Sequence, residues 1–313
     1  MHTQVSTFAA GSDLRIYFKL AGVSMIWGGT FVAGRFLSSD IAPLLLASLR
    51  FLLASVILLV FIVATRITLV LPDRKQLAQL ALLGFSGIFL YNLCFFYGLH
   101  YINASRASLI VVLNPAVFGL ASWLFFKERL SVLKVLGILV CMGGAGLVII
   151  SGNRSVFDGA AQTWVGDLLI FGCVLSWAVY SLFSRNLTRV LGPLTTVTYS
   201  IWLGTAMLWL ATWMRGEASL SVIETLSPQQ LLSLVYLGGL GSALAYIWYY
   251  DGIQRIGATR AGVFIGLNPL TAVILGALLL GEQLTLIMCL GGGLILAGIY
   301  LCNRPALRLS EPK

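Results

Sequence analysis

The chain has 313 residues, 59% of them hydrophobic and only 10% charged, with a formal net charge of +9. A soluble domain carries roughly 25% charged residues, so this composition cannot coat a water-facing surface and excludes ordinary globular domains. The positive balance comes without a Lys/Arg run or an aromatic platform, which removes nucleic acid as a partner and leaves the anionic face of a membrane.

Residues 1–16 are polar, contain Asp13, and lack the short apolar core and small-residue cleavage site of a signal peptide. The first apolar run therefore reads as a retained helix. The runs predict an all-α membrane protein with ten transmembrane helices, near 16–37, 43–65, 77–99, 104–126, 132–151, 164–185, 193–214, 229–252, 258–280 and 284–302. Connections are short, and the longest, near 152–163 and 215–228, hold turn formers, charges and Pro228. Cys94, Cys141, Cys173, Cys289 and Cys302 fall in or beside apolar runs and read as packing residues. His2 and His100 are too far apart for a metal site, and no cofactor is indicated.

The chain repeats itself. Ala104-Ser105-Arg106-Ala107, Leu113-Asn114-Pro115, Glu128, Leu136-Gly137 and Gly144 recur 154 residues later as Ala258-Thr259-Arg260-Ala261, Leu267-Asn268-Pro269, Glu282, Leu290-Gly291 and Gly298. Earlier, Trp27, Arg35 and Pro43 recur 150 residues later as Trp177, Arg185 and Pro193. Five helices repeat, and an odd number delivers the second half to the membrane upside down, giving two inverted five-helix repeats. Charge agrees: the loop with Lys127, Arg129 and Lys134 has a mate with no basic residue. With a cytoplasmic N-terminus, only Arg35, Arg106, Arg154 and Arg215 fall outside, so both termini are expected in the cytoplasm.

Two halves of five helices, each with Trp in the first helix and Asn-Pro then Glu in the fourth, plus Leu49-Arg50-Phe51 in helix 2, resemble the EamA-type drug/metabolite transporters. The resemblance covers about residues 16–303. It implies a cytoplasmic segment 1–15, EamA-like repeats at 16–151 and 164–303, and a cytoplasmic tail 304–313. It also implies a central cavity lined mainly by helices 1, 3, 4, 6, 8 and 9, and a substrate class of amino acids, related metabolites or drugs, usually exported across a bacterial inner membrane.

The candidate substrate-binding residues are Trp27, Thr30, Asn92, Asn114, Trp177, Tyr180, Tyr246 and Asn268. Each has a structural alternative. Pro115 and Pro269 free the carbonyls of Val111 and Ile265, so the asparagines before them could bind substrate or brace a kink. The Trp, Thr and Tyr side chains could wall a cavity or pack helices. Asn92 and Tyr246 are repeat mates deep in helices 3 and 8, where polar side chains face the bundle interior. Arg50, well inside helix 2, is a candidate anion contact. The competing reading is snorkelling or carbonyl binding, favoured because helix 2 is not expected at the cavity centre. None of the acids sits mid-span, which argues against a carboxylate proton relay, with Asp167 and Asp251 as the nearest exceptions. Glu128 and Glu282 are expected to bond backbone N–H groups of the following helix. Gly28, Gly29, Gly143, Gly144, Gly291, Gly292 and Gly293 are expected to permit close helix contact.

The function expected is a secondary transporter exporting amino acids or related small metabolites by alternating access around a midplane cavity. Drug efflux, nucleotide-sugar or metabolite exchange, a channel and a lipid translocator are the alternatives. A membrane enzyme lacks the clustered acids or His–Asp pair it would need. The partners expected are a small-molecule substrate and membrane lipid, with homodimerisation left open.

Overall fold

The computed structural model describes residues 10–111, 132–152, 163–256 and 264–303, with Leu113, Asn114, Ala116, Val117, Leu120 and Leu124 between the first two stretches. Every regular element among them is helical: α1 (Ala10–Leu37), α2 (Pro43–Thr65), α3 (Arg74–Tyr101), α4 (Ala104–Val111), α5 (Val132–Gly152), α6 (Thr163–Leu191), α7 (Pro193–Met214), α8 (Pro228–Ile256), α9 (Asn268–Leu280) and α10 (Leu286–Asn303). The long connection before α8 is not all loop, since Leu220–Thr225 form a 3₁₀ turn. Pro115, Glu128, Arg129, Arg154, Arg260 and both terminal segments lie outside the described residues.

Local chemistry sets the helix ends. Pro43, Pro193 and Pro228 sit in the first turn, where a missing N–H costs nothing. Two reciprocal caps start α3 and α8. Asp73 Oδ1 accepts from the Gln76 amide at 2.8 Å while the Asp73 amide donates to Gln76 Oε1 at 2.9 Å. Ser227 and Gln230 repeat the pattern 154 residues later. Gly281, at φ 65°, ends α9 in the left-handed conformation that glycine adopts without strain.

Six helical stretches are long and apolar enough to cross a bilayer, and Val135–Gly144, Asn268–Leu280 and Leu286–Gly298 are shorter apolar helices. Only 44–56% of each span's most apolar window is covered by protein. The rest presents side chains such as Val60, Val63, Leu210, Trp213, Leu278 and Leu279 outward. An apolar surface of that extent is stable against lipid and not against water. The chain is an integral membrane protein.

α3 and α8 each widen into a π-helical stretch, at Gly84–Leu90 and Tyr236–Leu244. There a glycine lets the backbone approach a neighbour. A Cβ on Gly84 would lie 2.8 Å from the Gly204 amide of α7, and one on Gly238 would lie 2.9 Å from the Arg50 carbonyl of α2. α2 and α7 are joined by hydroxyl pairs, Ser48 to Thr212 at 2.7 Å and Ser55 to Thr205 at 3.0 Å. α5 and α10 pack chiefly on each other, so closely that a Cβ on Gly144 would meet the Gly291 carbonyl at 2.6 Å and one on Gly298 the Gly137 carbonyl at 2.6 Å. Gly143 and Gly293, expected at such contacts, have open space beside them.

Candidate functional site

Where α1, α2, α3, α4, α6, α8 and the start of α9 converge, they leave a central cavity. Trp27, Thr30 and Phe31 share one face of α1, three and four residues apart. Tyr91 and Phe95 do the same on α3. Arg50, Val111, Asn114, Trp177, Tyr246, Ile265 and Asn268 complete the lining. The space inside is about 30 Å³, room for a water or two and not for a metabolite.

Its wall is a cluster of aromatic rings. Trp27 meets Trp177 edge-on at 5.7 Å and Tyr249 at 4.9 Å, and both tryptophans meet Tyr246 at 5.8 Å. Trp27 Nε1 donates to the Gly241 carbonyl at 3.0 Å, inside the π-helical stretch of α8. Thr30 Oγ1 donates back to the Trp27 carbonyl at 2.6 Å, so its hydroxyl proton is spent within α1.

The Asn-Pro motifs act on backbone. Asn114 Nδ2 donates to the Val111 carbonyl at 2.8 Å. With its amide oriented by its neighbours, Asn268 donates to the Ile265 carbonyl at 3.3 Å and the Ser24 carbonyl at 3.0 Å. Each asparagine thus satisfies the carbonyl that the proline following it in sequence cannot. Asn114 Oδ1 remains buried without a partner.

Arg50 corrects the sequence reading: helix 2 does reach the cavity. Arg50 Nε donates to Ser242 Oγ at 2.8 Å and its NH1 to Asn92 Oδ1 at 3.2 Å. Ser242 in turn donates to the Leu237 carbonyl, five residues back, a spacing the π-helical stretch supplies. Asn92 Nδ2 is held by the Ile88 carbonyl at 2.8 Å. Asn92 is fully buried and outside the cavity lining, so it positions Arg50 from behind. Tyr180 is also outside the lining: it stacks behind Trp177 at 5.1 Å, with its hydroxyl 3.2 Å from Ser200 Oγ. Phe31, Tyr91 and Phe95 belong to the wall as well. For Phe31 the signal was its spacing of one helical turn from Trp27.

Ion pairs join helices of the bundle on either side of the cavity lining. On one side, Arg106 of α4 grips Asp167 of α6 through two parallel bonds (Nε to Oδ1, 2.7 Å), both side chains buried. Beside it Glu282 accepts from the amides of Ala104 and Ser105 at 2.8 and 3.0 Å. The expected partner was the following helix. The actual partner is the start of α4, whose unsatisfied amides are the better match for a carboxylate. On the other side Lys19 of α1 pairs with Asp251 of α8 at 2.8 Å, and Tyr17 stacks on Phe264. Asp167 and Asp251, the two acids nearest the spans, are thus both ion-paired. No group of His, Cys, Asp and Glu among the described residues gathers as a metal-ligand set.

Residues 14–150 and again 164–304 match the EamA-like transporter family. The "Uncharacterized transporter YyaM" of Bacillus subtilis (strain 168) is 29% identical over 93% of this chain and 94% of its own. A "Probable terminal-alkyne amino-acid exporter" of Streptantibioticus cattleyicolor is 26% identical over 75% of this chain and 76% of its own. A protein of known crystal structure superposes with a TM-score of 0.68 at 20% identity, over 96% of this chain and 100% of the other, which speaks to fold alone.

Proposed function

We propose that this chain, which belongs to the EamA-like transporter family, exports amino acids or related small metabolites by alternating access around the cavity between Trp27 and Trp177. That it is a membrane transporter follows from the family; the substrate class, direction and mechanism are the proposal. The observation that carries it is a central cavity walled by residues of both family-matched segments.

Alternating access needs two states of similar energy, which two equivalent inverted halves supply. Several contacts support that arrangement. Three pairs of repeat mates touch each other, as residues on a two-fold axis must: Trp27 with Trp177, Ser55 with Thr205, and Cys141, whose thiol donates to the Ile295 carbonyl. Gly84 of α3 meets Ser200, Leu203 and Gly204 of α7, and its mate Gly238 of α8 meets the matching Arg50 and Leu53 of α2. In this reading the halves are 16–151 and 164–303, the spans number ten, and the basic loops put both termini in the cytoplasm of a cell bounded by the membrane it sits in. The named exporter among the relatives supports the amino-acid class.

Export is tested in cells. Cells loaded with radiolabelled L-leucine or L-phenylalanine should lose label faster when they make the chain than when they make a Trp27→Ala/Trp177→Ala double variant. Equal retention across a panel of amino acids would contradict export of this class.

A further inference from the structure

Among the described residues, the cavity lining has one charged group, Arg50, and it has no counter-ion. Arg50 is 4% exposed, and no carboxylate pairs with it among the described residues. A guanidinium carries five N–H donors. Two are spent on the neutral Ser242 and Asn92 side chains. Phe95 and Phe96 flank it with ring centroids 5.9 Å away, which eases the charge without neutralising it. An arginine buried in a membrane span is costly unless an anion or water meets it. Holding such a group rigid, with donors unused, suits a ligand that brings the negative charge.

Asn114 supplies the second half of the argument. It is 2% exposed, its Nδ2 is committed to Val111, and its Oδ1 has no partner. A buried acceptor left unsatisfied is costly, so a donor arriving with the ligand relieves it. Trp27, Trp177 and Tyr246 add ring faces that attract a cation but repel nothing apolar.

Resting on the transporter reading above, we infer that Arg50 is the carboxylate receptor of this cavity and Asn114 the ammonium acceptor, which selects a zwitterionic α-amino acid with an apolar side chain. Asn92 and Ser242 hold the guanidinium in place. A ligand carrying only a positive charge meets Arg50 unfavourably and is excluded.

The test is equilibrium binding to the full chain in lipid nanodiscs, with L-phenylalanine, 3-phenylpropionate and 2-phenylethylamine as probes. L-Phenylalanine should bind best, the acid more weakly and the amine weakest. Arg50→Gln should cost L-phenylalanine about 10–100-fold, the scale of lost charge-assisted hydrogen bonds, and should raise affinity for 2-phenylethylamine. That gain reports a folded cavity, which mere damage could not produce. Asn114→Leu should weaken L-phenylalanine and spare 3-phenylpropionate. Equal losses for all three probes in Arg50→Gln, or no change in any, would overturn the assignment, as would failure of all three to bind the unaltered chain. Export of some other solute in the cell assay would leave the transporter reading standing in each of those cases.

Discussion

A buried polar atom in lipid must find a partner inside the protein, and the central residues of this chain divide by whether they do. Asn114 and Asn268 brace the carbonyls of Val111 and Ile265, and Thr30 bonds its own helix. The sequence left bracing and binding open for the asparagines; the geometry gives bracing to both and leaves only Asn114 with an atom to spare. Arg50 was visible as an intramembrane charge, but its surroundings were not, because Ser242 and Asn92 come from two other helices. Asp167 is the opposite case, since nothing in its own run named Arg106 as a partner. Breaking a buried ion pair on one side costs about 3–5 kcal/mol, whereas removing both charges costs far less. Asp167→Asn should therefore lower the thermal midpoint in detergent more than Asp167→Leu combined with Arg106→Leu. A double variant as unstable as the single one would mean that the pair's charge is not the issue.

At the scale of elements, the all-helical character and the approximate positions of the described helices were legible in apolar run lengths, and the caps at Asp73 and Ser227 were written in local sequence. The π-helical stretches were not, because an extra residue per turn leaves no periodic mark over so short a length. They matter because one places Ser242 under Arg50 and presents the Gly241 carbonyl to Trp27. Small-residue content flagged α5 and α10 as close-packed without saying which glycine touches. Gly144→Val should separate α5 from α10 and lower stability or yield, since its Cβ would press on backbone atoms. Gly143→Val, one residue away with open space around it, should stay within about 0.5 kcal/mol of the unaltered chain. Comparing the two by melting in the same detergent checks the register. Equal effects would place the contact elsewhere.

Across the whole molecule, the repeat was the most informative feature of the sequence, because symmetry carries over long distances that propensities cannot reach. It related Trp27 to Trp177 and Glu282 to Glu128 before any contact was known. It did not foretell that Glu282 would cap α4, a contact between helices far apart in the chain. Lys19–Asp251, Arg106–Asp167 and the Glu282 cap tie the first family-matched segment to the second, outside the cavity lining. A carrier must open one such set while keeping the other. In Glu282→Gln the carboxylate's charge-assisted bonds to Ala104 and Ser105 are lost, so a cysteine at Ser108 should react faster with a membrane-impermeant thiol reagent from that side alone. Unchanged reactivity would remove Glu282 from the gate.

The central claim is that the aromatic cavity is the moving site of a carrier, and counterflow in proteoliposomes addresses it directly. Vesicles preloaded with unlabelled L-phenylalanine or L-leucine should take up the labelled amino acid against its gradient, saturably, and lose this when Trp27 and Trp177 are both replaced by alanine. Uptake that rises linearly with concentration and ignores the preload would describe a channel, and exchange undiminished by the double replacement would place the site outside this cavity.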